Sequence, residues 1–127
     1  ANLTVSEAVH AGTIVMQTDV SGDKTYTIPA PTQAGVTYRF LGQGQGSEAD
    51  GHDIILSLPA TVFFDGAITH LDTTADENVE AVWGNGTAHS TLTINLPAAY
   101  DLTLIAKSST VFYITGTVTT ATVPAFS

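Results

Sequence analysis

The sequence contains no cysteine, and lysine and arginine together fill only three of its 127 positions. The missing cysteines exclude disulfide bonds and thiolate metal sites. Nucleic-acid binding needs clustered cations that displace counterions from phosphate, whereas Lys24, Arg39 and Lys107 are scattered along the chain. A formal charge of −9 also disfavours contact with an anionic membrane surface. We therefore expect neither nucleic acid nor a membrane as a partner.

Long apolar runs are missing as well. No stretch approaches the ~20 apolar residues of a membrane-spanning helix, and no tripartite secretion signal opens the sequence. A start at Ala1 fits either removal of an initiator methionine or cleavage of a signal. The length predicts a single domain over residues 1–127.

Threonine is abundant instead: it fills 21 positions and alternates with apolar residues. Residues 25–28, 91–94 and 111–119 each place apolar side chains on one face and hydroxyls on the other, which is typical of a half-buried strand. Only residues 6–11 could form a helix, of at most one turn. Strands are predicted near residues 3–8, 12–18, 24–29, 36–41, 53–58, 61–64, 67–71, 79–83, 90–96, 101–106 and 110–119.

Turn residues separate these strands. Asp65-Gly66 lies between two predicted strands and indicates a two-residue hairpin. Three strands run into Pro-Ala, at Pro29, Pro59 and Pro97, and each is predicted to end at a sheet rim because proline cannot donate to a ladder. Many short strands predict an all-β fold: an antiparallel β-sandwich, jelly-roll-like or a small barrel.

Two polar loops could hold a ligand, at residues 42–52 and 72–78. His52 lies beside Asp50 and Asp53, and this arrangement could bind a divalent ion. Because the sequence shows no further ligands near this histidine, we interpret His52 as a solvated loop residue. The second loop and the residues after it supply carboxylates in a spacing unlike a regular calcium loop: Asp72, Asp76, Glu77 and Glu80. We predict no metal site and no cofactor.

Catalytic signatures are also missing. There is no Gly-x-Ser-x-Gly elbow, and no serine has a recognisable base near it in the sequence. His70 and His89 are interpreted as surface side chains, which cross-strand pairing could bring together. We therefore expect a protein without enzymatic activity and without catalytic residues.

Trp83 is the only tryptophan, and it precedes the turn Gly84-Asn85-Gly86. An exposed indole there could stack on a sugar ring, with Asn85 bonding to hydroxyls. Alternatively, Trp83 ends a strand and fills the core or an interface, which is the interpretation favoured for a lone tryptophan.

Residues 24–40 resemble an element of the small β-rich head decoration (cement) proteins of tailed bacteriophages. In this element a strand runs into Pro29-Ala30-Pro31, Ala34-Gly35 follows, and a second strand begins. Residues 111–118, with their aromatic strand and Gly116-Thr117-Val118 step, and the proline-containing residues 122–127 look like the same group.

The resemblance implies a cement protein on the outside of an icosahedral capsid, trimeric and clamping neighbouring capsomers. Its partners would be the major capsid protein and copies of itself, and it would be made in the host cytoplasm and located on the virion. The absence of a signal, of cysteines and of an active site agrees with this. One or both chain ends would lie along the capsid, with five apolar anchors: Leu3, Val5, Val123, Pro124 and Phe126.

Two other classes stay open at this point. A carbohydrate- or receptor-binding module, such as a fibre tip or a secreted binding module, would use Trp83, Asn85 and the loops. A fibre or pilus-like subunit would instead polymerise head to tail.

Overall fold

A computed structural model of the chain describes residues 2–17, 22–42, 52–74 and 78–127. The elements among them are β1 (Leu3–Thr4), α1 (Glu7–His10), β2 (Ile14–Gln17), β3 (Lys24–Thr27), β4 (Thr37–Gly42), β5 (Ile54–Ser57), β6 (Phe63–Asp72), β7 (Val79–Asn85), β8 (Thr91–Ile94), β9 (Ala99–Ser108), β10 (Val111–Thr120) and β11 (Ala125–Phe126). The helix α1 is a single turn and lies within residues 6–11, the only segment expected to allow one.

The strands form two packed sheets. The five-stranded sheet has the order β1-β3-β5-β8-β11, and the six-stranded sheet has the order β2-β4-β9-β10-β6-β7. The predicted all-β, sandwich-like fold is confirmed. Four strand pairs are parallel, namely β1–β3, β3–β5, β2–β4 and β6–β10, so the sheets are mixed and not purely antiparallel.

The core lies between the two sheets and is aromatic at its centre. Tyr26 of the five-stranded sheet meets Phe40 of the six-stranded sheet, with ring centroids 5.1 Å apart. Tyr38 lies 6.0 Å from Phe112 on the same side of the core. Alternation of apolar and polar residues along each strand produces this core, because successive side chains of a strand point to opposite faces.

The three Pro-Ala sites end three neighbouring strands of one sheet. β3, β5 and β8 stop at Thr27, Ser57 and Ile94, two or three residues before each proline. The predicted role of these prolines as strand terminators is confirmed.

The predicted hairpin at Asp65-Gly66 is wrong, because β6 runs through both residues from Phe63 to Asp72. Gly66 has φ +98°, and a Cβ placed on it would lie 2.7 Å from the carbonyl oxygen of Ile114 in β10. Glycine is needed here for a close approach between two strands inside the sheet, not for a chain reversal.

Candidate interaction face

The outer surface of the six-stranded sheet is built by alternate residues. Odd-numbered residues of β4, β6, β7, β9 and β10 and even-numbered residues of β2 point away from the core, as the registers and the burial pattern require. We call this surface the six-strand face. It is about 24 Å wide across five strand spacings and about 20 Å tall from Tyr113 to Thr119. These dimensions enclose about 480 Å², roughly 60% of the ~800 Å² that one partner contributes to a standard protein interface.

Exposed apolar side chains concentrate on this face. Ten large hydrophobic residues are exposed among the described residues. Seven of them belong to the six-strand face: Ile14, Met16, Leu71, Val79, Trp83, Ile105 and Tyr113. The registers place them in small groups, with Ile105 beside Tyr113 and Leu71 beside Val79, and the concentration of such residues on one face makes it the candidate interaction surface.

The charges of the six-strand face cancel in two ion pairs. The Arg39 guanidinium donates to both Asp101 carboxylate oxygens, at 2.9 and 2.7 Å. These hydrogen bonds hold the pKa of the Asp101 carboxyl below its usual value. The Lys107 ammonium lies 2.6 Å from an Asp65 oxygen and, with the Gly66 amide, lowers the pKa of the Asp65 carboxyl.

The other charged residues described by the structure lie away from this face. They are Glu7, Asp23, Lys24, Asp53, Asp72 and Glu80, which together carry an excess of negative charge. On the charges that are described, the molecule therefore combines an acidic body with a face of no net charge. Two of its three cations are used to neutralise that face.

The outer face of the five-stranded sheet is chemically different. The registers place hydroxyl side chains side by side across four strands: Thr4, Thr27, Ser57 and Thr91. None of the ten exposed large hydrophobic residues lies on this face. The six-strand face carries threonines as well, among them Thr69, Thr103 and Thr115, so the two faces differ in their exposed large hydrophobic residues and not in their hydroxyls.

Trp83 and Asn85 both lie on the six-strand face, at its β7 edge. The Trp83 side chain is 67% exposed, so it does not fill the core, and it stands opposite Ala67 of β6. The Asn85 side-chain oxygen already accepts hydrogen bonds from the amides of Thr87 and Ala88, at 3.0 and 2.9 Å. Trp83 is thus free to bind a ligand or a partner, whereas Asn85 shapes the turn.

The five predicted anchor residues belong to strands or segments packed into the domain. β1 and β11 are the two edge strands of the five-stranded sheet. Leu3 and Phe126 pack against the core, and Val5 and Pro124 are buried. Val123 alone is exposed, at 45%. A role for these residues in capsid contact stays a prediction.

His70 is not a surface residue as interpreted from the sequence, because its side chain is fully buried. Its Nε2 lies 3.0 Å from the Thr120 carbonyl oxygen and its Nδ1 lies 3.1 Å from a Glu80 oxygen. His89 stacks on Phe126 instead, with ring centroids 6.1 Å apart. The two histidines therefore have separate structural partners.

The predicted ligand loops fall partly outside the described residues, which omit Asp50, Asp76 and Glu77. His52 Nδ1 lies 4.0 Å from an Asp23 oxygen. The Asp72 carboxylate accepts hydrogen bonds from the Thr74 amide and from the Asn78 side chain. These bonds fix the beginning of the second loop. Within the described ranges, no group of three or more histidine, aspartate or glutamate residues is arranged to hold a metal ion.

Sequence reasoning did not find the two ion pairs. Arg39 and Asp101 are 62 positions apart, and Asp65 and Lys107 are 42 apart, so no local spacing signals either pair. The exposed apolar residues could have been found in the sequence. Tyr113, Ile105 and Val79 are apolar at positions where the alternation of their strands calls for an outward, polar residue.

Comparison with protein-family models, with curated proteins and with solved structures gave no match. In the part of the chain that the structure describes, no helix is long and apolar enough to cross a membrane.

Proposed function

We propose that this chain is a non-enzymatic structural protein of a virus particle, a decoration protein that binds the outside of an icosahedral head and stabilises contacts between capsomers. The observation that carries the proposal is the six-strand face, which holds seven of the ten exposed large hydrophobic residues and four charges that cancel. The resemblance of residues 24–40 and the chain end to phage cement proteins supplies the capsid as the partner. A position on the capsid exterior comes from the same resemblance, which also implies a trimer; the open edge of β7 described below supports a dimer instead.

A face of this kind suits protein docking. Burial of apolar area drives association at about 25 cal/mol per Å² before the costs of binding are subtracted. Threonine between the apolar residues loses little rotamer entropy when it is immobilised. The acidic charges elsewhere keep the unbound protein soluble and discourage contact through the other surfaces.

The copy number in purified virus particles tests the proposal. Quantitative mass spectrometry would measure the chain against the major capsid protein. A decoration protein is expected in hundreds of copies, in a simple ratio to the capsid protein. A few to a few dozen copies would indicate a tail or fibre protein, and absence from the particle would refute the viral role.

Two variants test the face itself. Thr115→Lys adds a charge at the centre of the six-strand face, and Thr27→Lys adds the same charge on the opposite sheet. Both side chains are exposed, so both variants should fold. We expect Thr115→Lys to weaken binding to heads that lack the protein by at least about tenfold, because an unpaired charge would be desolvated. Thr27→Lys should bind like the unmodified chain. Equal binding by both variants would exclude the six-strand face.

A carbohydrate- or receptor-binding module is the second candidate, because Trp83 is 67% exposed on an otherwise flat sheet. An exposed indole has an apolar body that can cover one face of a sugar ring. Saturable glycan binding that is lost in Trp83→Ala would favour this function over capsid decoration.

A further inference from the structure

β7 is an open edge of the six-stranded sheet. It pairs with β6 on one side, and no strand among the described residues is hydrogen-bonded to its other side. Val79, Glu80, Ala81 and Trp83 are all exposed, although successive residues point to opposite faces. Among the described residues, nothing therefore covers the Val79–Ala81 end of β7, whereas Val82 packs against the core.

The free backbone groups of β7 can be assigned from its register. The amide of Asp72 donates to the Asn78 carbonyl, and the amide of Gly86 donates to the Phe64 carbonyl, at the two ends of the β6–β7 ladder. The register between these bonds has no bulge. Even-numbered residues of β7 therefore face β6, and Val79, Ala81 and Trp83 point their N–H and C=O groups away from the sheet.

The open stretch has a defined end. Asn85 is the next residue whose backbone groups point away from β6. Its amide already donates a hydrogen bond to His89 Nδ1, at 3.2 Å. The free edge thus runs from Val79 to Trp83, and its middle residue is Ala81. A strand that adds here has five residues to pair with.

We propose that the free edge of β7 pairs antiparallel with β7 of a second copy of this chain, about a two-fold axis at Ala81. This register places Val79 of each copy opposite Trp83 of the other and Ala81 opposite Ala81. All three residues point their backbone groups at the partner, so six N–H···O bonds form. The Val–Trp pairs combine a β-branched with an aromatic side chain, a favourable cross-strand combination.

No like charges stand directly opposite each other in this pair. Glu80 is the only charged residue of β7, and its carboxylate is directed to His70 at 3.1 Å. In the proposed register Glu80 stands opposite Val82, and the two Glu80 residues are diagonal neighbours roughly 8 Å apart, a repulsion that keeps the pair weak. β7 carries neither lysine nor proline, the residues that commonly protect an edge strand from pairing. The product is a continuous twelve-stranded sheet in which two six-strand faces lie side by side.

The pair is expected to be weak and concentration-dependent, because five residues a side bury less than a standard interface. Sedimentation equilibrium from about 10 µM to about 1 mM should show the mass rising from 13.2 kDa towards twice that value. We expect a dissociation constant on the order of 100 µM. A chain that stays monomeric throughout, or that forms the trimer implied by the resemblance, would overturn the proposal.

Matched lysine variants test the edge. Ala81→Lys places two like charges directly opposite each other and should weaken self-association at least about fivefold. Thr69→Lys puts the same charge on β6, opposite Ala81 in the β6–β7 register. Two lysines there would lie roughly 14 Å apart in the pair, beyond the Debye length of about 10 Å, and should have little effect. Equal effects of the two variants would refute pairing through β7.

Single cysteines test the register, since the chain has none of its own. Cysteines at position 81 would have Cα atoms about 5.5 Å apart across the axis, within the range for a disulfide. Cysteines at position 79 would be roughly 14 Å apart and unable to bridge. Under mild oxidation Ala81→Cys should therefore form a covalent dimer and Val79→Cys should not. Equal cross-linking of both variants, or none by Ala81→Cys, would reject this register.

None of these results depends on capsid binding, so the dimer and the capsid role can fail separately.

Discussion

At the level of single residues, the Arg39–Asp101 pair gives a pH dependence to stability. The guanidinium lowers the pKa of the Asp101 carboxyl in the folded chain below the ordinary value of about 3.9. A lowered folded-state pKa contributes stability that is complete above the unfolded-state pKa and is lost as pH falls through the folded-state pKa. The free energy of unfolding should therefore decrease as pH drops below about 5.

Asp101→Asn should flatten this decrease by less than about 1 kcal/mol, because the Asp101 side chain is 40% exposed and solvent screens the pair. Urea unfolding at three pH values between about 5 and about 3 would measure it. Arg39→Gln is the matched control and should flatten the curve similarly by removing the other partner. Some slope should remain, because the pKa values of the Asp65 and Asp72 carboxyls are also lowered. An unchanged slope in both variants would contradict the role assigned to the pair.

His70 shows what a residue's sequence context can and cannot reveal. The burial of His70 was predictable in part, because even-numbered residues of β6 such as Phe64 and Ile68 point into the core and His70 continues this alternation. Its partner was not, because the Thr120 carbonyl lies 50 positions away and meets His70 only when β6 and β10 pair in parallel. A surface position was the expectation for His70, but its burial is satisfied because both ring nitrogens are in contact with oxygens.

At the level of elements, the chain ends are parts of the fold. Phe126 of β11 packs edge-on against Phe64 at 5.5 Å, and the backbone of Ser127 bonds to Ser90 and Thr91. If the last five residues served only as a capsid anchor, deleting residues 123–127 would leave the domain as stable as before. The structure instead predicts a loss of about 2–4 kcal/mol of unfolding free energy, since a packed aromatic ring and an edge strand are removed.

Chemical denaturation followed by circular dichroism would measure that loss. Val123→Ser is the control, because Val123 is 45% exposed and its substitution should change stability by no more than about 0.5 kcal/mol. The same variant is also the cleaner probe of a capsid contact at this end. A truncated chain as stable as the full one would show that β11 contributes nothing to the sandwich.

Strand boundaries could be predicted where the local residues determine them. They could not be predicted where contacts with neighbouring strands determine them. The Pro-Ala segments ended β3, β5 and β8 because a missing N–H stops a ladder in any context. Asp65-Gly66 has the composition of a tight turn, but the close approach of β10 explains the glycine. The order of the strands, with four parallel pairs, follows from contacts distant in sequence and had no local signal.

At the level of the whole molecule, net charge is separated from the exposed apolar residues, because the four charges of the six-strand face form two ion pairs. Alternation predicted that each sheet would have an outer face, but it did not show that the two faces differ. The difference depends on which strands become neighbours: β9 brings Asp101 to Arg39 of β4, and the last residues of β9 bring Lys107 to Asp65 of β6. The chain therefore carries its large negative charge together with one neutral face.

This separation predicts how capsid binding responds to salt. A contact made by the six-strand face buries apolar residues and paired charges, so its affinity should change less than about twofold when NaCl is raised from about 0.05 M to about 0.5 M. Over that range the Debye length shrinks from roughly 14 Å to roughly 4 Å, which would strongly weaken any contact built on the acidic residues. Co-sedimentation of the protein with heads that lack it, at several salt concentrations, measures the affinity. A loss of tenfold or more would place the contact on the acidic surfaces and away from the six-strand face.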